Sequence, residues 1–503
     1  MRADTGERVP IKELVGMGNV PLLSLDSEYR LLPAVASHIF PSGRKRVFAL
    51  TTRSGRTITA SGNHPFLTLS GWQRLDALQE SDRIALPRRV TSANASSALS
   101  NDEIILLAHL LGDGCVLPRQ PIHYTSADDK NCRAVSDVAS RLFGITPRHV
   151  RQKNWWHIYL PSPYRLARGK RHPITNWFKE LGIEAVRSYE KRVPEALFTS
   201  PLSDIQLFLH HLWATDGNIS WKRLNGRKPS AAIYYATTSP ALAVDVQHLL
   251  LRLGIWSTKR KVTQGKYRPI YHTHIQSTPV QLDFLNQVGS FGARGAIVPE
   301  LKKALEDIAP VPNTDTIPRE IWDLLVRREK DATGMSWRDV AGKMQTAYNG
   351  SALFASGVSR TRLATLAKAV SSKTLLHLAE SDVYWDEVVS IEALSIKDVY
   401  DITVPGTHNF VADDFIVHNS IEQDADVVMF IHRDDKTNEN SDRPNIAQIL
   451  VEKHRNGPTG SIELYFDEKR TTFLSLETKR GGEEGEGFSP VQDNDFDSTS
   501  LRL

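Results

Sequence analysis

The 503-residue chain carries 62 Lys and Arg against 58 Asp and Glu, a formal net charge of +4. Any strongly basic surface must therefore be local, and charge alone identifies no nucleic-acid binder. Hydrophobic residues at 40% and charged residues at 24% exclude wholesale disorder, and the length accommodates several domains.

Two cysteines, Cys115 and Cys132, exclude a disulfide framework and a cysteine-rich zinc module, and fit a reducing cytoplasm. No apolar run approaches the ~18 residues that a membrane span needs, so no membrane partner is expected. The first residues lack the apolar segment of a signal peptide.

In chain order, residues 1–100 read as short strands. Residues 46–52 and 57–60 flank the turn Ser54-Gly55-Arg56, which predicts a β-hairpin. Ser61-Gly62-Asn63-His64-Pro65-Phe66 then places a histidine directly after it. Next comes Ile104-Ile105-Leu106-Leu107-Ala108-His109-Leu110-Leu111, an apolar helical run that stops at Gly112-Asp113-Gly114. A second such helix ends at Leu212-Trp213-Ala214-Thr215-Asp216-Gly217. Each is followed by another helix closing on Gly-Ile, at Gly144-Ile145 and Gly254-Ile255, and then by basic and aromatic stretches at 148–159 and 259–271. An Asp at a helix C-terminus opposes the macrodipole by about 0.3–1 kcal/mol, so a cation better explains it. The small residues Ala108, Gly112 and Ala214 predict close helix packing that brings Asp113 and Asp216 together. Paired carboxylates near a phosphodiester can hold Mg²⁺, which activates water and stabilises the leaving oxygen.

These segments resemble the paired motifs of single-chain LAGLIDADG homing endonucleases over roughly residues 101–300, without matching the consensus letter for letter. The resemblance implies two αββαββα repeats on a saddle of strands that binds double-stranded DNA, with Asp113 and Asp216 as metal ligands and endonuclease acids.

Residues 310–318, Pro-Val-Pro-Asn-Thr-Asp-Thr-Ile-Pro, read as a linker. Ser336-Trp337-Arg338-Asp339 then opens like a capping box, and Arg360-Thr361-Arg362 begins a second helix with cationic and hydroxyl side chains. The pair is expected to be a helix-turn-helix, with Arg360, Thr361 and Arg362 contacting DNA; the alternative is a helical connector with solvated arginines.

β patterning returns over residues 384–418. Val399-Tyr400-Asp401-Ile402-Thr403-Val404 leads to His408-Asn409-Phe410 and then to His418-Asn419-Ser420. An Asn side-chain amide can attack its own carbonyl and cleave the following peptide bond, a neighbouring His can polarise that carbonyl, and a Ser hydroxyl can accept an acyl group. With the upstream His64 segment, these residues resemble intein blocks B, F and G on an all-β, horseshoe-shaped Hint fold. The resemblance implies His64 as activator of the N-terminal scissile bond, in a motif where Ser61 replaces the usual Thr. It makes Asp401 and His408 assistants, His418 the penultimate histidine, Asn419 the cyclising residue and Ser420 the first residue after the element. The family begins with a Cys or Ser nucleophile, whereas this chain has Met1, and residues 2–11 resemble the sequence just after that nucleophile's strand. An N-terminally truncated element, without full splicing, is the expectation.

Downstream, residues 420–431 end in an apolar strand pattern, and a strand over 446–451 leads into Lys453-His454-Arg455. This resembles the C-terminal end of the RecA-like α/β ATPase domain of DnaB-type replicative helicases. The resemblance implies that Lys453 and Arg455 reach a neighbouring subunit's nucleotide in a hexamer. No Gly-x-x-x-x-Gly-Lys-Ser/Thr phosphate loop occurs in the sequence, so ATP is expected only in the assembled parent helicase, with its upstream segment and hexamer neighbours.

The expected architecture is multidomain. Residues 1–100 and 380–419 form the Hint β domain. It is split by the endonuclease at 101–310 and a helical module at 311–379. A helicase segment at 420–480 and a disordered acidic tail at 481–503 follow. Two classes of function compete: self-cleavage with Mg²⁺-dependent DNA cleavage, and ATP-dependent DNA unwinding by the parent helicase.

Overall fold

Two long strands, His38–Thr52 and Val383–Thr403, form the spine of the β domain. They pair antiparallel from His38 opposite Thr403 to Thr52 opposite Val388. The computed structural model describes residues 1–419 except 185, 223–229, 309–314 and 349, and then 427–433, 443–454, 460–468, 470 and 472–475. The expectation of short strands over residues 1–100 holds except for His38–Thr52, which runs 15 residues. Register shifts between Val388 and Ser390, Ala393 and Ile396, and Asp398 and Tyr400 let one long pair bend, because each irregularity adds local twist. The first residues of Val383–Thr403 pair instead with Arg83–Pro87, so this strand joins two parts of an eight-stranded curled sheet. The predicted hairpin is present, with Thr51 opposite Thr57 and Gly55 at φ +78° in its turn. At the sheet's far end, Asn409–Ala412 and Phe415–His418 form a second hairpin beside Pro65–Thr68.

The chain between Pro87 and Val383 carries the insertion. Its first repeat runs helix Asn101–Gly112, strands Gly114–Cys115 and His123–Ser126, helix Asp129–Phe143, strands Arg148–Arg151 and Trp156–Tyr159, and helix Pro173–Glu180. The second runs helix Leu202–Asp216, strands Gly217–Lys222 and Ser230–Thr237, helix Pro240–Arg252, strands Ser257–Gln264 and Tyr267–Ile275, and helix Thr278–Gln287. This is αββαββα twice, with one four-stranded antiparallel sheet per repeat. Ser100 and Glu103 close a capping box that starts the first helix, which fixes where that helix begins. The apolar faces of both repeats merge into one core that includes Leu107, Leu110, Leu209 and Leu212.

The helical module contains Trp337–Lys343, Arg360–Ala369 and Lys373–Ala379. Its core residues Trp322, Leu363 and Leu375 pack with Trp385 and Ile416 of the β domain. The expected linker is tied down in its described part: Thr316–Ile317 pairs with Val358–Ser359, and Asp315 binds Arg88 and Arg360.

The chain divides into two units at Asn419 and Ser420. In the second, Val427–Arg433, Ile446–His454, Gly460–Asp467 and Thr472–Ser475 form one antiparallel sheet. The acidic tail expected at 481–503 lies outside the described residues. Among the described residues, no helix is long and apolar enough to cross a membrane.

Candidate functional site

The final hairpin of the first unit sets the position of His418 and Asn419. Asn409 lies opposite His418, and the Asn409 side chain is buried. Its Oδ1 accepts from Leu25 N–H at 2.7 Å while its Nδ2 donates to Leu25 O at 2.8 Å, joining the hairpin to Val20–Leu25. His408 adopts φ +56°, and its carbonyl accepts the Asn419 backbone N–H at 3.0 Å. The His418 Nδ1 lies 2.6 Å from the Asn419 carbonyl oxygen, and the Trp72 ring packs edge-on against the imidazole at 4.7 Å. His418, Asn419 and His408 are thus brought together by direct contact.

His64 directly precedes Pro65–Thr68, the strand beside this hairpin. Val417 pairs antiparallel with Phe66, so continuing the register carries His64 towards Asn419. Burial pushes the His64 imidazole down to about 4, and the neighbouring His418 and Lys45 add to the effect. Asp401 is buried on the long strand opposite Phe40, where its Oδ1 accepts the Ile402 N–H at 2.8 Å. A cavity of about 930 Å³ opens beside His64, lined also by Tyr400 and Asp414 and, from the insertion, by Glu195 and His248. Ser420 lies outside the described residues.

A second candidate site lies where the insertion's two central helices end. Asp113 follows Gly112 at the end of the first helix, and Asp216 closes the second. Close approach is possible because Gly112 has no side chain: a Cβ there would lie 2.0 Å from the Thr215 hydroxyl. Burial, and next the Asp216 charge, push the Asp113 carboxyl up to about 7; burial raises Asp216 as well.

Two cations that the sequence did not single out close the helix ends. Lys191 Nζ donates to the carbonyls of Leu110, Gly112 and Gly114 at 3.1, 3.1 and 2.9 Å. Arg294 donates to those of Ala214 and Thr215. Part of the charge expected at these acids is therefore supplied by the protein, from Lys191 just after the turn Ser188–Glu190 and Arg294 in the short helix Gly292–Gly295, with no motif to mark them. Behind the acids, His109 Nε2 meets His211 Nδ1 at 3.1 Å, and His109 Nδ1 meets the Tyr124 hydroxyl at 3.0 Å. The one available signal was histidine within the apolar run of each helix, His109 in the first and His210-His211 in the second.

Among the described residues, no cluster of three or more His, Cys, Asp or Glu side chains forms a metal site. The pair Asp113 and Asp216 nevertheless offers hard carboxylate oxygens whose mutual repulsion a divalent cation would relieve, a donor set that suits Mg²⁺.

The basic stretch at 148–159 forms two paired strands in which Arg148 lies over Tyr159 and Arg151 over Trp156. Lys259 is different: its N–H donates to Ser54 O, and burial pushes its amine down to about 8. In the helical module, the predicted capping box joins Ser336 and Asp339. Arg360 is occupied internally, by Asp315 and the carbonyls of Leu378, Ala379, Ser381 and Val383, whereas Thr361 and Arg362 are exposed. Lys453 lies on Ile446–His454 opposite Val428, and Arg455 is outside the described residues.

Comparison with known proteins finds two family matches: an intein splicing domain over residues 2–419, and a DnaB-like helicase C terminal domain over 365–475. The chain is 45% identical over 481 residues to the replicative DNA helicase DnaB of Rhodothermus marinus, covering 94% of this chain and 51% of that protein. It is 42% identical over 480 residues to the replicative DNA helicase DnaB of Synechocystis sp., covering 94% and 55%. The chain thus spans about half the length of these curated relatives. A solved structure of mesophilic variants of the homing endonuclease I-DmoI aligns with a TM-score of 0.28 and 13% identity, covering 38% of this chain and 97% of that one.

Proposed function

The chain belongs to the intein splicing domain family, and from that premise we propose that it acts on two substrates: its own peptide bond after Asn419, and duplex DNA.

At the junction, the Asn419 side-chain nitrogen attacks the Asn419 carbonyl carbon. The bond to the Ser420 nitrogen breaks, its electron pair stays on that nitrogen, and the proton released by the amide is taken up there. The products are a C-terminal succinimide and a free amine on Ser420. The observation that carries this reading is the 2.6 Å contact from His418 Nδ1 to the Asn419 carbonyl oxygen, where an N–H polarises the bond under attack. The His408 carbonyl holds the Asn419 N–H and so restrains the reacting residue. His64 serves the N-terminal scissile bond, Asp401 and His408 assist, and Ser420 is the acyl acceptor when an upstream nucleophile is supplied. Support also comes from the family match, which ends at residue 419, where the chain divides into its two units. Mass spectrometry of aged full-length protein tests it. A fragment beginning at Ser420, absent from Asn419→Ala, is expected; cleavage that persists in that variant, or begins elsewhere, rules the mechanism out.

The second activity is double-strand DNA cleavage by the insertion, favoured by the two buried carboxylates at paired helix ends. Asp113 and Asp216 would hold Mg²⁺, which when bound supplies Lewis-acid activation of water and of the leaving oxygen. Lys191 and Arg294 neutralise the adjoining helix ends, and Arg148 and Arg151 supply phosphate contacts. Thr361 and Arg362, but not the internally committed Arg360, are free to add DNA contacts. The segment after 419 belongs to DnaB-type helicase sequence. In a parent protein with its upstream segment, it contributes Lys453 and Arg455 to a neighbour's ATP during DNA unwinding.

A further inference from the structure

We propose that His248, in the inserted α/β unit, is a positioning residue for cyclisation at Asn419 and acts through Asp414. The inference rests on the reading of Asn419 given above.

The hairpin Asn409–Ala412 and Phe415–His418 has two ends. Its open end carries His418 and Asn419. Its closed end is the two-residue turn Asp413-Asp414, with φ of +47° and +63°. Such a left-handed pair matches the strand twist and fixes the register, from Ala412 opposite Phe415 to Asn409 opposite His418. A short ladder of this kind moves as one piece, so what holds the turn also sets the place of the reacting residue.

The turn is held by the insertion. His248 Nδ1 donates to Asp414 Oδ1 at 2.8 Å, and the Arg56 Nε lies 3.9 Å from Asp414 Oδ2. The imidazole is buried, and the Asp414 carboxylate nearly so. Burial acts to raise the Asp414 carboxyl, but His248 foremost, then Arg56 and Arg8, hold it below the usual carboxylate range. Asp413, the Met1 amine and Lys259 are further charged groups near this turn.

The helix that carries His248, Pro240–Arg252, is itself fixed to the β domain. Its Gln247 Nε2 donates to Ser54 O at 2.9 Å, and Lys259 N–H donates to the same oxygen at 2.8 Å. Trp256 stacks on Tyr384 with ring centroids 3.7 Å apart, and the Arg56 guanidinium lies over Trp256 at 4.3 Å. The His248–Asp414 contact is therefore built into a packed junction between insertion and β domain. A misplacement of ~1 Å at reacting atoms costs ~100-fold in rate, so loosening this clamp is felt at Asn419.

The test uses the full chain and compares wild type, His248→Ala, His248→Asn and Asn419→Ala. Asn keeps an N–H donor near the Nδ1 position. Release of the Ser420 fragment should slow about tenfold or more in His248→Ala, by the same positional sensitivity, and largely recover in His248→Asn. DNA binding by the insertion should match wild type throughout. Amide exchange at Asn419, whose N–H donates to His408, reads the positioning without the reaction: it should be faster in His248→Ala and restored in His248→Asn. Unchanged release and exchange in His248→Ala overturn the inference. So does a loss that His248→Asn does not repair and that follows a general fall in melting temperature. Release that persists in Asn419→Ala overturns the cyclisation reading instead, and a wild type that releases nothing overturns both.

Discussion

Gly112 and Thr215 meet across the two central helices so closely that a β-carbon at Gly112 would lie 2.0 Å from the Thr215 hydroxyl oxygen and 2.4 Å from its Cβ. Both positions immediately precede the paired acids, so this contact sets the separation of Asp113 and Asp216. Gly112→Ala should destabilise the insertion by about 1–3 kcal/mol, the usual cost of overpacking, and reduce DNA cleavage. Thr215→Gly in the same chain should recover much of the loss, because it removes the atoms in the way. Urea unfolding and cleavage assays on both variants check it; independent, additive effects would show that the two residues do not share a packing constraint.

The acids themselves are held against their preference. Asp113 is raised to about 7, by burial first and then by Asp216. A raised carboxyl favours the folded state below its unfolded pKa and loses that advantage as pH rises through the folded value. In metal-free protein, stability should therefore fall from about pH 4 to pH 7 on this account. Asp113→Asn should abolish Mg²⁺-dependent cutting, keep salt-sensitive DNA binding, and raise the melting temperature at pH 8. A variant that still cuts, or melts lower at pH 8, contradicts the assignment.

Buried histidines predict the opposite acid response. Burial pushes His109 and His211 down to about 3, the histidine neighbours adding to it. A depressed imidazole keeps its full contribution above the unfolded value near 6.5 and loses it as pH falls towards the folded value. Unfolding free energy of the insertion should drop by about 2 kcal/mol per histidine between pH 6.5 and pH 4.5, apart from other groups. A His109→Gln, His211→Gln double variant should flatten this limb in denaturant titrations at several pH values.

Asn409 closes a ring of hydrogen bonds with the Leu25 backbone. Asn409→Ala leaves that buried N–H and carbonyl without these partners, at about 1–3 kcal/mol each. Slower appearance of the Ser420 fragment, together with lower thermal stability, is the expected outcome by mass spectrometry and calorimetry. Release at the wild-type rate would separate this anchor from the chemistry.

The sequence by itself determined many of the elements and singled out most of the side chains that the proposed chemistry uses. Apolar periodicity and glycine stops placed the two central helices, the turn at Ser54-Gly55-Arg56 placed the first hairpin, and His418 and Asn419, the pair proposed for cyclisation, stand in adjacent positions. These signals are local, because helix ends, turns and neighbouring reactive groups depend on a few consecutive residues. Only the tertiary structure decided what lies more than a hundred residues apart in the chain. It brought Asp414 to His248, Asn409 to Leu25, and His64 into register with the end of the final hairpin. It also turned Arg360 inward to bind Asp315 and backbone carbonyls, against the reading of a DNA-facing side chain, because a guanidinium at a buried helix start finds oxygen acceptors there. Lys191 and Arg294 took the helix ends for the same reason: unpaired carbonyls attract whichever cation the fold delivers, and no spacing in the sequence records which one that will be.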